Sequence, residues 1–407
     1  STLLGQNLAL KQAAERIVQA QERVAIQSGA FAPSLSAEGS WSRRFSPAQT
    51  QGDFQFQSGR IYTTNYQAGF SSSWQIDLFG RIRRSVESAQ ANFEATLYDR
   101  QALLHSLISQ LVRLRVSIAT NQRLVDLAEQ SAMNRQQIFE LVERRYNLGT
   151  AGTTLEDVYL AEENLTSVES DINQFRRLLR NDVYALDVLL GQAPGTIDSQ
   201  TNLFPVIPPP LDVPVGIPAQ LLDRRPDLRA SELRVRSAYA DIGVAIADLY
   251  PSLTLSGGLS LTSQDSSDFF STDQLMGSIM SSLMTRLFEG GSLRANIRLQ
   301  ESEARELVHA YAERVLEAIQ EVESALQAEQ ELVQELASLE RSVNALRQAE
   351  ELSLQRYQRG IDPLRDFLET QQNRYRTEQS YIALQQSRWN VRIDLYLALG
   401  GDWLQNE

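Results

Sequence analysis

The 407-residue chain has no cysteine, which excludes disulfides, thiolate catalysis and thiolate metal ligands. It has two histidines, His105 and His309, and they do not stand at equivalent positions of the internal repeat described below. We interpret both as helix-surface or helix-packing residues. No phosphate-binding glycine loop, nucleophile elbow or paired acid site is found, so the sequence predicts no enzyme, no cofactor and no metal site.

Basic runs are also absent, and the formal net charge is −13. Nucleic-acid binding needs a clustered basic surface, and the sequence therefore predicts no nucleic-acid partner. The charge suits a conduit that tolerates cations better than anions. A plain solvated acidic surface explains the same number equally well.

Long apolar runs are missing, since no stretch of about 18 consecutive apolar residues occurs. The mean hydropathy is −0.30. Two classes remain: a soluble protein, or a membrane protein built from β-strands, whose alternating sequence hardly changes a hydropathy average. Ser1 leads directly into helix-like sequence without a signal-peptide pattern, so we expect a mature or trimmed chain.

An internal repeat organises the chain. Four landmarks recur in the same order at offsets of 218, 209, 211 and 209 residues: Pro33-Ser34-Leu35-Ser36 with Pro251-Ser252-Leu253-Thr254, Leu78-Phe79 with Leu287-Phe288, Arg145-Tyr146 and Gly149 with Arg356-Tyr357 and Gly360, and Leu190-Gly191 with Leu399-Gly400. We predict a first repeat over 1–204, a proline-rich connector over 205–218 and a second repeat over 219–407.

Each half predicts a helix, two strands and two long helices. The predicted strands span about 33–45, 61–78, 251–263 and 274–288, and the predicted long helices span about 80–148, 154–190, 291–358 and 362–399. From about Arg81 to Leu148 there is no proline or glycine, so one helix of roughly 100 Å can form. Apolar residues between Val308 and Leu336 follow the alternating spacing of three and four residues typical of coiled coils, with Glu329 interrupting.

The second strand alternates apolar and polar residues over about 17 positions, which is longer than the usual globular strand. Such a strand is typical of a tilted membrane crossing, with Trp41, Tyr62 and Trp74 available at the lipid interfaces. A half-buried sheet face in a soluble protein is the alternative. Under the membrane interpretation, the polar loops Phe45–Gly59 and Ser263–Asp273 lie outside the cell.

Four strands cannot close around a water-filled lumen, and open strand edges are not tolerated in lipid. The chain is therefore expected to oligomerise. Three copies would supply twelve strands, an even number in the usual range, although copy number does not follow from geometry alone.

The sequence resembles the outer membrane efflux proteins, the TolC/OprM-like outer membrane factors, over nearly its whole length. The branch that works with resistance-nodulation-division pumps is especially similar. The motifs that carry the resemblance are Arg225-Pro226-Asp227-Leu228, Tyr250-Pro251-Ser252-Leu253, Asp77-Leu78-Phe79-Gly80, Arg356-Tyr357 with Gly360, and Leu397-Ala398-Leu399-Gly400-Gly401-Asp402-Trp403. Two features depart from the family. The first half has Asn7-Leu8-Ala9-Leu10 in place of Arg-Pro-Asp-Leu, and the lipoprotein-type N-terminus is absent, so lipidation stays open.

The resemblance implies an α+β membrane protein, a homotrimer whose twelve-stranded β-barrel continues into a periplasmic α-helical coiled-coil barrel. It implies a passive outer-membrane channel of a tripartite efflux pump for drugs or other small molecules. Its partners would be outer-membrane lipid, a periplasmic membrane-fusion adaptor and an inner-membrane pump. The alternatives are a duct for heavy-metal efflux or type I secretion, and a soluble coiled-coil scaffold.

The resemblance also implies site residues. The adaptor-docking tips would be two helix-to-helix turns, formed by Tyr146, Asn147, Leu148 and Gly149 and by Tyr357, Gln358, Arg359 and Gly360. The periplasmic aperture and its gate would contain Asp366, Glu369, Asp157, Glu156 and Tyr357. From the residues alone, the glycines are ordinary helix terminators and the acids are favourable early-helix residues. Arg359 and Arg365 lie nearby and are candidates for pairing with these acids across protomers.

Met276, Met280 and Met284 share one face of the fourth strand. Thioethers favour Cu(I), so a soft-metal route is conceivable. Apolar filler is the interpretation we prefer, because no histidine accompanies the three methionines.

Overall fold

The computed structural model describes residues 5–47, 60–150, 152–197 and 224–401. The predicted connector over 205–218, most of the first polar loop and Trp403 lie outside the described residues. The elements in chain order are α1 (Leu8–Gly29), β1 (Ser34–Pro47), β2 (Arg60–Ile76), α2 (Arg81–Asn147), α3 (Leu155–Leu189), α4 (Pro226–Ala247), β3 (Ser252–Ser263), a short 3₁₀ helix (Thr272–Gln274), β4 (Leu275–Met284), α5 (Ser292–Gln358) and α6 (Leu364–Ala398).

The chain divides into two compact units. Unit 1 comprises Ser1–Glu15, Tyr98–Arg229 and Ala312–Glu407, and unit 2 comprises Arg16–Leu97 and Ala230–Tyr311. Unit 2 contains the four strands and the first parts of α2 and α5, whereas the C-terminal parts of α2 and α5 and the whole of α3 and α6 lie in unit 1.

The strands of unit 2 form one antiparallel sheet in the order β1-β2-β3-β4. β1 and β4 are therefore the two edges. β4 ends at Met284, before the predicted end at 288. The reason lies in the pairing: Met284 faces Ser252, the first residue of β3, so later residues of β4 have no partner on that side.

The two faces of the sheet differ in chemistry. Ala37, Phe70, Leu259 and Gly277 stand side by side across the four strands, and Trp41 faces Tyr66 on the same side. The opposite face carries rows of small hydroxyl side chains, such as Ser73 beside Ser256. This separation is the expected result of period-two alternation maintained in register.

The three methionines of β4 lie on the hydroxyl-rich face. Met276, Met280 and Met284 face Ser260, Ser256 and Ser252 respectively. Their side chains are 56%, 61% and 57% exposed. The apolar side chains of β4 point to the other face, so the methionines are not part of its apolar surface.

Asp77 stabilises the passage from the sheet to α2. Its two carboxylate oxygens accept the backbone N–H groups of Ile82 and Arg83, which have no partner within the first helical turn. Beside it the ring of Phe79 stacks on Tyr250, with centroids 4.8 Å apart. The Asp77 hydrogen bonds hold the end of β2 to the start of α2, and the ring stack brings this passage beside the residues that precede β3.

In unit 1 each half of the chain has a side chain that donates a hydrogen bond to the last turn of a long helix, but the two halves use different residues for it. The Asn7 side chain donates to the carbonyl of Leu189 at 2.7 Å, and Arg225 donates to the carbonyl of Ala398 at 3.4 Å. Each carbonyl belongs to the last turn of a helix, where no backbone donor is available. Asn7 therefore does in the first half what Arg225 does in the second, although the motif differs.

α2 includes an 18-residue window with a mean hydropathy of 1.2, long and apolar enough by composition alone to cross a membrane. Uninterrupted apolar runs are nevertheless absent from it. Its leucines contact α1 and α3 within unit 1, where Leu107 packs with Leu10 and Leu189. We interpret the window as part of this helix-packing seam.

Candidate functional site

The two helix-to-helix turns predicted as tips have the same backbone geometry. The N–H of Gly149 donates to the carbonyl of Tyr146, and the N–H of Thr150 donates to that of Arg145. Gly360 and Ile361 repeat both bonds in the second turn. Both glycines have positive φ, 66° and 72°, as this helix-terminating motif requires.

The first turn exposes apolar surface. Leu148 is 76% exposed and Tyr146 is 40% exposed. Thr154 begins the following helix, where its side chain accepts the N–H of Asp157 and the Asp157 carboxylate accepts the N–H of Thr154 in return. The carboxylate of Asp157 is thus engaged in holding the start of α3.

The second turn is fastened by side chains of both halves. Arg145 lies over the ring of Tyr357 at 5.1 Å and donates to the carbonyl of Gln358 at 3.2 Å. Tyr357 also stacks on Phe367, and burial raises the pKa of the Tyr357 hydroxyl. Tyr357, predicted at the aperture, has its side chain in the core of the protomer, 7% exposed.

An ion pair spans the second turn. Arg356 contacts Asp362 through two nitrogen atoms, one of them at 2.7 Å. The hydrogen bond from Arg356 holds the pKa of the Asp362 carboxyl below its ordinary value. Arg145, which stands at the equivalent repeat position, reaches instead to Gln358, so the two turns are held differently.

The predicted aperture acids fall into two groups. Glu156 pairs with Arg365 at 3.0 Å, within one protomer rather than between protomers as expected for Arg365. Asp366 and Glu369 lie in the first turns of α6 and are exposed. In the described part of the chain their carboxylates make no ion pair, so both are available to ions or partners.

A buried arginine on α2 joins three helices near the turns, and sequence reasoning missed it. Arg135 is 1% exposed and donates to the carbonyl and the side-chain oxygen of Asn164 on α3, and to Gln372 on α6 at 2.7 Å. Its guanidinium also lies 5.0 Å from the ring centre of Tyr375. The only sequence signal was a charged residue inside a stretch of helix-packing residues.

Glu329, which interrupts the coiled-coil spacing of α5, has two basic partners, of which Arg392 is buried and Arg388 is partly buried. Its carboxylate contacts Arg388 at 3.3 Å and Arg392 at 3.4 Å, both on α6. The interruption is therefore a charged contact between helices.

The two histidines occupy different environments. His309 is exposed, and His105 lies beside Gly401, where a Cβ would come within 2.8 Å of the imidazole. Among the described residues, no group of three or more histidine or acidic side chains has the arrangement needed to hold a metal ion.

A family model described as "Outer membrane efflux protein" matches residues 1–192 and 217–401. The chain belongs to the outer membrane efflux protein family. This confirms the resemblance and places the protein in the outer membrane, as an efflux channel and not an enzyme. It also removes the soluble scaffold as an alternative.

Relatives within this family have different named cargoes. The antibiotic efflux pump outer membrane protein ArpC of Pseudomonas putida is 28% identical over 99% of this chain and 82% of its own length. The cation efflux system protein CusC of Escherichia coli O6:H1 is also 28% identical, over 100% of this chain and 85% of its own.

The solved structure of the outer-membrane channel OprN is similar, with a TM-score of 0.87 and 29% identity. The match covers 99% of this chain and 89% of that one. The fold of an outer membrane efflux protein, with long helices and a four-stranded sheet, is therefore shared over nearly the whole protomer.

Proposed function

We propose that three copies of this efflux protein assemble into a passive duct. Each copy would contribute four strands to a twelve-stranded barrel in the outer membrane and its long helices to a periplasmic tube. The observation that carries the proposal is the open sheet: β1 and β4 are edges, and both are exposed throughout their described side chains. Unpaired backbone groups at such edges are costly in lipid.

The chemistry of the two faces supports the same arrangement. The row that contains Phe70 and Leu259 is suited to lipid, whereas the hydroxyl-rich face is suited to a water-filled lumen. The two halves of the chain would be structural repeats, with the connector between them. Three copies would then arrange twelve strands, or six pairs, around one axis. By symmetry, the three interfaces between copies would use the same contacts.

The first test is the native mass. In mild detergent we expect a trimer and no stable folded monomer, because separate protomers would expose the edges of the sheet. Mass photometry or light scattering with detergent correction measures this. A monodisperse, folded monomer would contradict the barrel.

We assign the two turns the role of periplasmic docking tips. Leu148 and Tyr146 present apolar side chains in the first turn, and Asn147 and Gly149 complete it. In the second turn Gln358, Arg359 and Gly360 are exposed above the fastened Tyr357. A membrane-fusion adaptor would contact these residues and link the duct to an inner-membrane pump, of the resistance-nodulation-division type.

Asp366 and Glu369 are assigned to the periplasmic mouth. They are three residues apart on one helix and therefore share a face. Repeated in three protomers, they would surround the axis with carboxylates. Glu156, Asp157 and the Tyr357 cluster would hold the adjoining turns in place.

Small-molecule drugs are the proposed cargo, with metal cations as the second candidate. ArpC and CusC are about equally similar to this chain, so sequence similarity favours neither cargo over the other. The two are separated by deleting the gene and measuring growth inhibition by antibiotics and by Cu(I) or Ag(I). Type I secretion is the remaining candidate, tested by loss of an exported protein from the medium.

Topology gives a further prediction. The segment between β3 and β4 contains Ser266 and would lie on the cell surface. An epitope inserted at Ser266, or at Gln51 in the segment outside the described residues, should bind antibody on intact cells. Detection only after the outer membrane is permeabilised would reverse the proposed orientation.

A further inference from the structure

The apolar face of the sheet, defined by the row through Phe70, carries two arginines at the end farthest from the helices. Arg60 and Tyr62 share this face of β2 with Phe70, and Arg43 of β1 stands beside Thr64 of the same set. β1 begins after α1 and β2 ends before α2, so the other ends of both strands are remote from these helices.

Each of these arginines lies on an aromatic ring of the neighbouring strand. The Cζ atom of Arg43 is 4.8 Å from the centre of the Tyr62 ring, and that of Arg60 is 5.4 Å from the centre of the Phe45 ring. The centres of the two rings are 6.5 Å apart. Four side chains from two strands therefore form one continuous row of cation, ring, ring and cation, which lies exposed on the apolar face.

The ring contacts leave the N–H groups of both arginines available. A guanidinium group on a ring uses its charge and its flat surface, whereas its N–H donors lie along the edge of the plane. Within the described residues, neither Arg43 nor Arg60 has a hydrogen bond or an ion pair. A charge at the border of a membrane requires an anionic partner. An acceptor from outside the protomer would supply it.

The positive charge of this face is an exception in an acidic protein. The whole chain has a formal net charge of −13, yet the four strands together contain Arg43, Arg44 and Arg60 and a single acid, Glu38. Glu38 and Arg44 alternate to the hydroxyl-rich face. The strands therefore present only positive charge on the apolar face, which suits an anionic partner.

The height of the arginines above the helices identifies the kind of anion. Trp74, whose indole N–H donates to the carbonyl of Phe31 at 2.9 Å, marks the helix end of the apolar face. Thr64, beside Arg43, lies ten residues earlier on β2. Ten residues of a strand tilted by about 40° rise about 25 Å, the height of the apolar band around an outer-membrane barrel. With Trp74 at one boundary of the hydrocarbon, Arg43 stands at the other, among the headgroups.

We propose that Arg43 and Arg60 bind the phosphate groups of lipopolysaccharide, the phosphorylated glycolipid of the outer leaflet. This rests on the barrel and on the cell-surface orientation proposed above. Guanidinium groups bind phosphate oxygens through paired, charge-assisted hydrogen bonds. Phe45 and Tyr62 would hold the two groups in place at the boundary where barrels carry their aromatic belts.

The spacing of the two arginines favours this glycolipid over a phospholipid. Two rings separate the guanidinium groups, so they form two binding positions rather than one. The lipid A part of lipopolysaccharide carries a phosphate on each of its two sugars, so one molecule can engage both positions. A phospholipid with one phosphate engages one position at a time.

Arg44 provides a matched control, because it is the next residue on β1 and alternates to the hydroxyl-rich face. The test variants are Arg43→Gln and Arg43→Gln with Arg60→Gln, and the control is Arg44→Gln. Each full-length protein in mild detergent is titrated with bisphosphorylated lipid A, with dephosphorylated lipid A and with phosphatidylglycerol. Native mass spectrometry counts the bound lipid, and EDTA removes divalent cations that would bridge phosphates to acidic side chains.

We expect the wild type and Arg44→Gln to bind bisphosphorylated lipid A about tenfold or more tightly than either other lipid, because only this lipid forms charged hydrogen bonds with both arginines. Arg43→Gln should bind it more weakly, and the double variant should bind the phosphorylated and dephosphorylated forms equally. The comparison of lipids on the wild type tests the phosphate contact without any variant.

A wild type without preference for the phosphorylated form would overturn the inference. So would a double variant that keeps the preference, or an Arg44→Gln variant that loses it. Phosphatidylglycerol bound as tightly as lipid A would overturn the assignment to the glycolipid. A monomeric mass with the preference retained would contradict the oligomer and support the lipid site. An epitope at Ser266 that is hidden on intact cells would place the arginines at the other leaflet and overturn the inference.

Discussion

Replacing Asp366 and Glu369 together by alanine is expected to remove most of the block that divalent or trivalent cations impose from the periplasmic side. Both carboxylates are exposed and lack ion pairs among the described residues. Three copies would place about six of them around one mouth, where like charges repel and bound cations relieve the repulsion. We expect the half-blocking concentration to rise about tenfold or more, or about 1.4 kcal/mol of binding free energy.

Conductance of single channels in planar bilayers measures this, with the cation added to one side at a time. The matched control is Glu335→Ala with Glu340→Ala, two exposed acids on a different helix, α5. Changes at His105 or Met280 should leave the block unaltered. A double variant blocked as strongly as the wild type would place the cation site elsewhere, with Glu156 and Asp157 the next candidates despite their contacts with Arg365 and Thr154.

The second large effect is expected from Arg135→Met. Methionine keeps a long apolar side chain but removes every donor, so two oxygens of buried Asn164 and the side-chain oxygen of partly buried Gln372 lose their partner. Leaving buried acceptors unsatisfied costs about 3 kcal/mol in all. Arg135→Lys should also be destabilised, because an ammonium does not reproduce the planar set of guanidinium donors.

The midpoint of thermal unfolding, followed by circular dichroism at one protein concentration, measures the loss of stability. Arg176→Met is the control, because Arg176 pairs with Glu129 at 2.6 Å while about half exposed. Such an exposed pair contributes less than about 1 kcal/mol. Equal midpoints for the two methionine variants would show that the buried arginine has no special role.

The sequence-based expectations succeeded where a local rule governs the structure. The period of two in β2 and the turn glycines Gly149 and Gly360 need only neighbouring residues to be read. The end of β4 was placed too late because it depends on where β3 begins, a residue distant in sequence. The length and the alternation of the β4 segment itself therefore could not predict that the strand ends at Met284.

Fewer of the contacts around the two turns could be predicted from the sequence, because they too depend on residues distant in the chain. Arg135, Tyr357 and Arg145 acquire their roles from contacts between helices. A charged or aromatic residue on a helix carries no local mark of burial, and the pairing of Glu156 with Arg365 joins residues more than two hundred positions apart. The candidate acids were identified by family resemblance rather than by chemistry visible in the chain.

The position of the methionines has a consequence for oxidative damage. The chain has four, and Met133, Met276, Met280 and Met284 are all more than half exposed in the protomer. Conversion to the sulfoxide makes the side chain polar, which disrupts a protein when the methionine is buried. On β4 the added oxygen would stand among serine hydroxyls. With no cysteine and no buried methionine, the fold has no sulfur in its core for peroxide or hypochlorite to attack.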